Sequence, residues 1–389
     1  MKKYDVIIIG AGAAGLMCAI EAGKRGRTVL LIEHTEKVGK KILISGGGRC
    51  NFTNLEIAPK NYLSANPHFC KSALARYTQK DFIGLVEKHN IPYHEKTLGQ
   101  LFCNGSSREI VEMLVKECEV VGVEISLNVT VTEVKKENVF FLTTSIGEFE
   151  SDSLVIASGG LSIPKMGSTD FGYLIAKQFG LGVIKPYPAL VPLTWKDEDR
   201  NIFSELSGIS LAVRVSCKGI IFKESMLFTH KGLSGPAILQ ISSYWKPGDV
   251  IEIDLFDIID IHAVLLKYRS ENLELGKLLS RYLPRNFVVK WCEIFFPSKP
   301  LNQISDKNLR QISELLHHWK VIPRGTEGYE KAEVTAGGID TKNISSKTME
   351  ANDVKGLFFT GEVLDVTGWL GGYNFQWAWS SGWAAGQAV

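Results

Sequence analysis

Gly10-Ala11-Gly12-Ala13-Ala14-Gly15 limits what this chain can fold into more than any other feature. It stands between an apolar run, Tyr4–Ile9, and a small-residue stretch, Ala13–Arg25, with a second apolar run at Thr28–Ile32. Short continuous apolar runs suit strands buried on both faces, and the stretch between them has helical length. Residues 4–33 therefore read as a strand–helix–strand unit of a parallel sheet. Each glycine has its own physical use there. Gly10 permits the tight turn, Gly12 lets backbone come close to a pyrophosphate, and Gly15 lets the helix pack against the strand. Ala13 and Ala14 open the helix, whose free N–H groups and dipole face the phosphate. Glu33 ends the second run 18 residues after Gly15, where a carboxylate accepts from ribose hydroxyls and repels a 2′-phosphate.

Further segments extend the ligand. Lys40 and Lys41 lead into Ser45-Gly46-Gly47-Gly48-Arg49-Cys50-Asn51. Three successive glycines let backbone lie against a flat or charged group, and Arg49 supplies a fixed cation. Gly361-Glu362 ends a last apolar run, Gly356–Thr360, so Glu362 is expected to project from the carboxyl end of the sheet, where open α/β sheets bind ligands. Gly371-Gly372-Tyr373-Asn374-Phe375 opens a C-terminal helix with unpaired N–H groups. Those of Asn374 and Phe375 are expected at the pyrimidine edge of a flavin, with Gly372 allowing the approach. Val131, in the strand-like stretch Glu124–Val134, and Ser158 and Gly159, at the end of the apolar run Ser153–Ser158, complete the candidate set. A ligand reaching from residues 10–33 to residues 362–375 has the length of extended FAD.

The 389 residues are enough for two or three domains. Pro186, Pro188 and Pro192 mark a boundary, and glycine-rich character returns from Val334. The expected division is a discontinuous nucleotide-binding domain, 1–190 and 334–389, interrupted by an insert at 191–333. The insert is β-rich over about 191–257 and helical over about 258–320, with helical spacing in Ala263–Tyr268, Leu275–Tyr282 and Leu309–Trp319. Outside it, helices are expected near Cys70–His89 and Ser106–Val121, and short strands at Val139–Thr144 and Glu148–Ser151.

These blocks resemble a family of FAD-dependent oxidoreductases of the aminoacetone-oxidase-like or bile-acid-dehydroxylation-flavoprotein-like kind. The resemblance rests on Lys41–Asn54, with its specific Ser45–Asn51 core, Phe228–Ala237, Val334–Gly338, and Gly361–Val366 through Gly371–Ala378, in the family's order along nearly the whole chain. It implies an α/β fold: a discontinuous FAD-binding, Rossmann-like domain of the glutathione-reductase type carrying a β-rich and helical insert. It implies FAD as the prosthetic group and fixes the substrate far less well. Thr367 stands where an acidic residue is common in that family.

The expected activity is transfer of hydride or electrons between a reductant and a small molecule. NAD(P)H is the candidate transient reductant, although no second G-x-G-x-x-G is present. An amine-type oxidase using oxygen is the alternative in the same class; a non-catalytic flavin-bound protein that contacts RNA or a partner through the insert is the alternative in another. Forty-four basic against 42 acidic residues give a formal charge of +2, which makes no composition-level case for nucleic acid or anionic membranes. No nucleic-acid partner is therefore expected. Seven scattered cysteines without a C-x-x-C pair fit reduced thiols in a cytoplasmic protein. Lys2, Lys3 and the apolar Val6–Ile20 mimic a leader peptide, but Asp5 and Met17 fit one poorly. Cys50 and the turn residue His230 read as structural, Lys165 as either a solvated surface lysine or one that holds an anionic substrate or acts near flavin N5, and Trp369 alone among the tryptophans as a cavity liner.

Overall fold

Strand β1 (Lys2–Ile9), helix α1 (Ala13–Lys24) and strand β2 (Val29–Ile32) form the expected unit. The computed structural model describes residues 1–389. β1 and β2 pair in parallel from Val6 opposite Val29 to Ile9 opposite Ile32. All four residues of β2 and the last four of β1 are buried, and each such side chain is worth about 1.5–3 kcal/mol. Glu124–Ser126 extends this sheet beyond β2, again in parallel.

On the other side of β1 runs Gly147–Ile156, which serves two neighbours. Its first half pairs antiparallel with Phe140–Thr144, while Leu154–Ile156 pairs in parallel with Leu357–Phe359. Sequence reading splits this segment into two strands because Asp152 breaks the apolar pattern. In the fold Asp152 is exposed and bonds Lys3 across the ladder at 3.0 Å, so the strand continues. The strands ending at Ile9, Ile32, Ile156 and Phe359 all run the same way. Their carboxyl ends open onto one edge.

The C-terminal helix Tyr373–Gly386 packs on α1 through small residues: a Cβ on Gly382 would lie 2.4 Å from the Ala14 carbonyl oxygen. Trp379 stacks on Phe82, with ring centres 4.2 Å apart at 9°, and its indole N–H donates to the Phe52 carbonyl. Trp377 donates to the Gly361 carbonyl, and Gly361 N–H donates to Ser381 Oγ. This helix therefore fixes the turn that carries Glu362.

Two units emerge: Met1–Pro188 with Glu333–Val389, and Ala189–Ala332. The second has a seven-stranded sheet centred on the hairpin Ser210–Cys217 and Ile220–Phe228. Trp195, Phe203, Phe228, Phe287 and Trp319 form a buried aromatic cluster in it. Its helices include Arg285–Ile294, inside the part expected to be helical but outside the stretches named for helical spacing, and Asp306–His317. Trp319 begins a strand, Trp319–Val321, rather than ending a helix. No helix of the chain is long and apolar enough to cross a membrane.

Candidate functional site

The three glycines after β1 meet different surroundings. A Cβ on Gly10, whose φ is +109°, would sit 2.5 Å from the Ala157 carbonyl oxygen, and one on Gly15 would sit 1.9 Å from the Gly10 oxygen. Both are compelled by the chain's own packing. A Cβ on Gly12 would meet nothing within 4 Å. Gly12 caps α1 without a side-chain acceptor, so the first-turn N–H groups of Ala13, Ala14 and Gly15 face that open space. Here a helix start has room for an anion.

Glu33 lies at the edge of the same space. Oε2 accepts from Ala11 N–H at 3.0 Å, Oε1 from Thr35 N–H at 2.9 Å, and His34 Nδ1 stands 3.1 Å from Oε1. Burial pushes the carboxyl up, but the bonds from His34, Thr35 and Ala11 outweigh it and hold it below its usual range. His34 is shifted up by the same pair. An ionised carboxylate offers about four lone-pair sites; Ala11, Thr35 and His34 occupy three of them, so acceptor capacity remains for about one ribose hydroxyl. Val131 opens a strand two residues beyond Val129, whose N–H donates to the Glu33 carbonyl. Ser158 and Gly159 follow the long strand beside Gly10, and the space above Gly159 is open.

The Ser45–Asn51 block forms a tight turn with Gly46, Gly47 and Gly48 at φ +56°, +66° and +84°. Gly46 is held against Phe102, whereas Gly47 and Gly48 have nothing near a would-be Cβ. Arg49 is exposed and forms no ion pair, and Lys40 leans on Glu36 at 3.5 Å. Cys50 is fully buried at φ +47°, with its thiol pushed well above the usual range by burial. It is a packing residue. With its amide oriented to suit its neighbours, Asn51 donates to Leu101 and Thr53 carbonyls and accepts from Gly372 N–H at 3.2 Å.

That last bond corrects one expectation. A Cβ on Gly372 would fall 2.3 Å from the Thr53 carbonyl oxygen, so Gly372 is required for the helix to dock on the chain itself. Thr53 donates to Gln376 Oε1 at 2.6 Å, and Asn54 donates to the Gly371 carbonyl at 3.0 Å. Tyr373 accepts at its carbonyl from the Tyr62 hydroxyl, and Asn374 uses its side chain on Gly368 and Trp369. Asn374 and Phe375 stand in the first turn of the helix, where backbone N–H groups have no partner within the helix itself.

Glu362 also differs from the simple picture of a projecting carboxylate. Oε2 binds Lys41 Nζ at 2.7 Å, while Oε1 accepts from Thr335 N–H at 2.8 Å and Ser162 Oγ at 3.0 Å. Lys41 Nζ also donates to Ser162 Oγ at 2.7 Å. The carboxyl of Glu333 is raised by desolvation, with Lys41 acting in the opposite sense. Sequence reading missed Ser162, Glu333 and the role of Thr335, because no spacing links residues that only strand ends bring together. His230 and Lys165 are exposed, and Thr367 is buried beside the Thr335 carbonyl.

Gly12, Gly47, Gly48 and Gly159 leave backbone-lined space that Cβ atoms would fill, and the carboxylate at the end of β2 has capacity for ribose. This donor set fits the adenosine and pyrophosphate of FAD.

The chain is 51% identical over 392 residues to the ribosomal RNA dihydrouridine synthase of Escherichia coli (strain K12), covering 100% of this chain and 98% of that protein. It is 28% identical over 412 residues to the 3-dehydro-bile acid delta(4,6)-reductase of Clostridium scindens, covering 98% of each. The 3-ketosteroid-delta4-(5alpha)-dehydrogenase of Rhodococcus jostii RHA1 has the same fold, with a TM-score of 0.52 at 15% identity over 99% of this chain and 97% of that one. The first relative overturns the expectation that nucleic acid is excluded. Net charge was a poor guide because it averages over the whole surface. No aminoacetone oxidase stands among these relatives, so that part of the resemblance narrows to the bile-acid reductase. The family's sequence model matches residues 4–388, and the chain belongs to the HI0933-like protein Rossmann domain family.

Proposed function

We propose that the protein is an FAD-dependent reductase that converts uridine in ribosomal RNA to dihydrouridine. One observation carries this reading: 51% identity along the full chain to a protein named for that product. The open cradle at Gly12 supports it. Making dihydrouridine saturates the C5=C6 bond of uracil, which is conjugated to a carbonyl, and needs a hydride equivalent on one carbon and a proton on the other. The bile-acid relative is named for reduction at carbon–carbon double bonds, the same class of chemistry on another substrate. When bound, FAD supplies the two-electron step.

In this reading the chain's own residues bind and orient. The N–H groups of Ala13, Ala14 and Gly15 receive pyrophosphate, and Glu33 receives the ribose. Lys41 is held between Glu362 and Ser162, and a fixed donor in such a place stabilises negative charge that develops beside it. NAD(P)H is the proposed source of reducing equivalents, entering transiently.

The test is anaerobic incubation of the purified yellow protein with NADPH or NADH and deproteinised ribosomal RNA, followed by nucleoside mass spectrometry. Dihydrouridine formation is expected. A protein that carries flavin but leaves all uridines intact with either reductant would end this reading. Saturation of a small conjugated ketone without action on RNA would instead favour the small-molecule reading that the bile-acid relative supports.

A further inference from the structure

We propose that one face of the helical part of the second unit, centred on residues 261–310, is an RNA-docking surface that takes single-stranded or looped RNA. The proposal rests on the ribosomal RNA reading above. Nine Lys and Arg stand against four Asp and Glu in this segment, an excess of five, whereas the whole chain carries +2 and the remainder is therefore net negative by three. A near-neutral chain has concentrated its positive charge in one segment.

Side-chain pairing sharpens the contrast. Arg269 bonds Asp306, and Lys290 bonds Glu205 and Glu293. Lys267, Lys277, Arg281, Arg285, Lys307 and Arg310 are exposed and form no ion pair. Lys267 Nζ and the Arg281 guanidinium both lie over the ring of Tyr268, 5.6 and 5.1 Å from its centre. Two cations held on one ring repel each other, and a polyanion relieves that repulsion.

Beside this cluster, an open groove of about 850 Å³ is lined by Phe295, Phe296, Lys307, Arg310 and Gln311, with Asp306 and Glu314 as its acids. Asp306 is neutralised by Arg269, the neighbour of Tyr268, which ties the groove to the cation cluster as one face. Glu314 faces His318 at 4.0 Å. Aromatic rings in a groove beside unpaired cations suit unpaired bases, which stack on the rings while phosphates meet the cations. A phosphate contact made this way releases counterions and leaves a salt signature.

The experiment uses the flavin-loaded full chain and fragmented, deproteinised ribosomal RNA in a filter-binding salt series. One variant combines Lys267→Glu, Arg281→Glu, Lys307→Glu and Arg310→Glu. A second keeps the charge with Lys267→Arg, Arg281→Lys, Lys307→Arg and Arg310→Lys. Circular dichroism and the flavin spectrum report the fold of each. The reversed variant is expected to bind about 30-fold or more weakly, with a log–log salt slope flatter by about 3, since each single-strand phosphate contact contributes about 0.7. The charge-retaining variant should bind within about threefold of wild type. Equal binding by wild type and the reversed variant overturns the proposal. Equal loss in both variants, or no RNA binding by wild type, also overturns it. A wild-type protein that binds RNA through this face yet forms no dihydrouridine upholds the surface and ends the functional reading instead.

Discussion

Two neighbouring glycines separate a ligand's demand from the fold's. Gly15→Ala places a methyl group 1.9 Å from the Gly10 oxygen; such overpacking against backbone should cost about 3 kcal/mol and lower the melting temperature. Gly12→Ala meets open space and loses only the cap preference of glycine, about 1 kcal/mol or less. Its stability should be near wild type while FAD affinity falls about tenfold or more, a loss of about 1.4 kcal/mol, as read by flavin fluorescence titration. Unchanged affinity would move the pyrophosphate elsewhere. Glu33→Ala should weaken FAD by about 1–3 kcal/mol through lost charge-assisted bonds. Glu33 also has a pH signature. Its folded-state carboxyl lies below the usual 4.5, so its contribution is present above that value and is lost as pH falls through the lower folded one. Melting curves across about pH 3–5 should show a steeper fall for wild type than for Glu33→Gln.

At the scale of elements, the C-terminal helix holds the site together from behind. Gln376 is fully buried, accepts from Thr53 Oγ1, and donates to the Tyr77 carbonyl and Ser380 Oγ. Gln376→Leu keeps much of the volume but strands buried polar partners, which should cost about 1–3 kcal/mol in a urea melt. Losing the helix position should also loosen Gly361, since Trp377 and Ser381 clamp it. Amide exchange at residues 361–363 in the variant should rise above wild type; unaltered exchange would mean the clamp is independent of Gln376. The Gly372 contact with Thr53 makes substitution there a test of folding rather than of flavin electronics.

Across the whole molecule, the site residues discussed above lie in the unit made of Met1–Pro188 and Glu333–Val389, while the unpaired cations lie in Ala189–Ala332. Replacing 189–332 with a short Gly-Ser linker should leave a protein that binds FAD but neither holds ribosomal RNA nor reduces it. Flavin retention on gel filtration and nucleoside analysis check the two halves of that statement. Full activity on RNA without the second unit would remove it from substrate handling.

Local sequence was enough wherever function rests on backbone. The turn from Gly10 to Gly15, the pairing of β1 with β2 and the place of Glu33 follow from spacing that any chain must obey to form this unit, so they were legible without neighbours. The same holds for the C-terminal helix after Gly372. What needed the tertiary structure is everything decided by partners distant in sequence. Glu362 reads as a free carboxylate until Lys41, Ser162 and Thr335 arrive from a short helix, a bend and the start of a strand. Gly372 reads as a ligand contact until Thr53 occupies the space. Asp152 reads as a strand break until Lys3 pairs with it. Net charge hides the Lys267–Arg310 excess because a sum over the chain carries no position. Spacing constrains backbone within one element, but side-chain partnership depends on which strand ends and helix faces packing brings within a few ångströms.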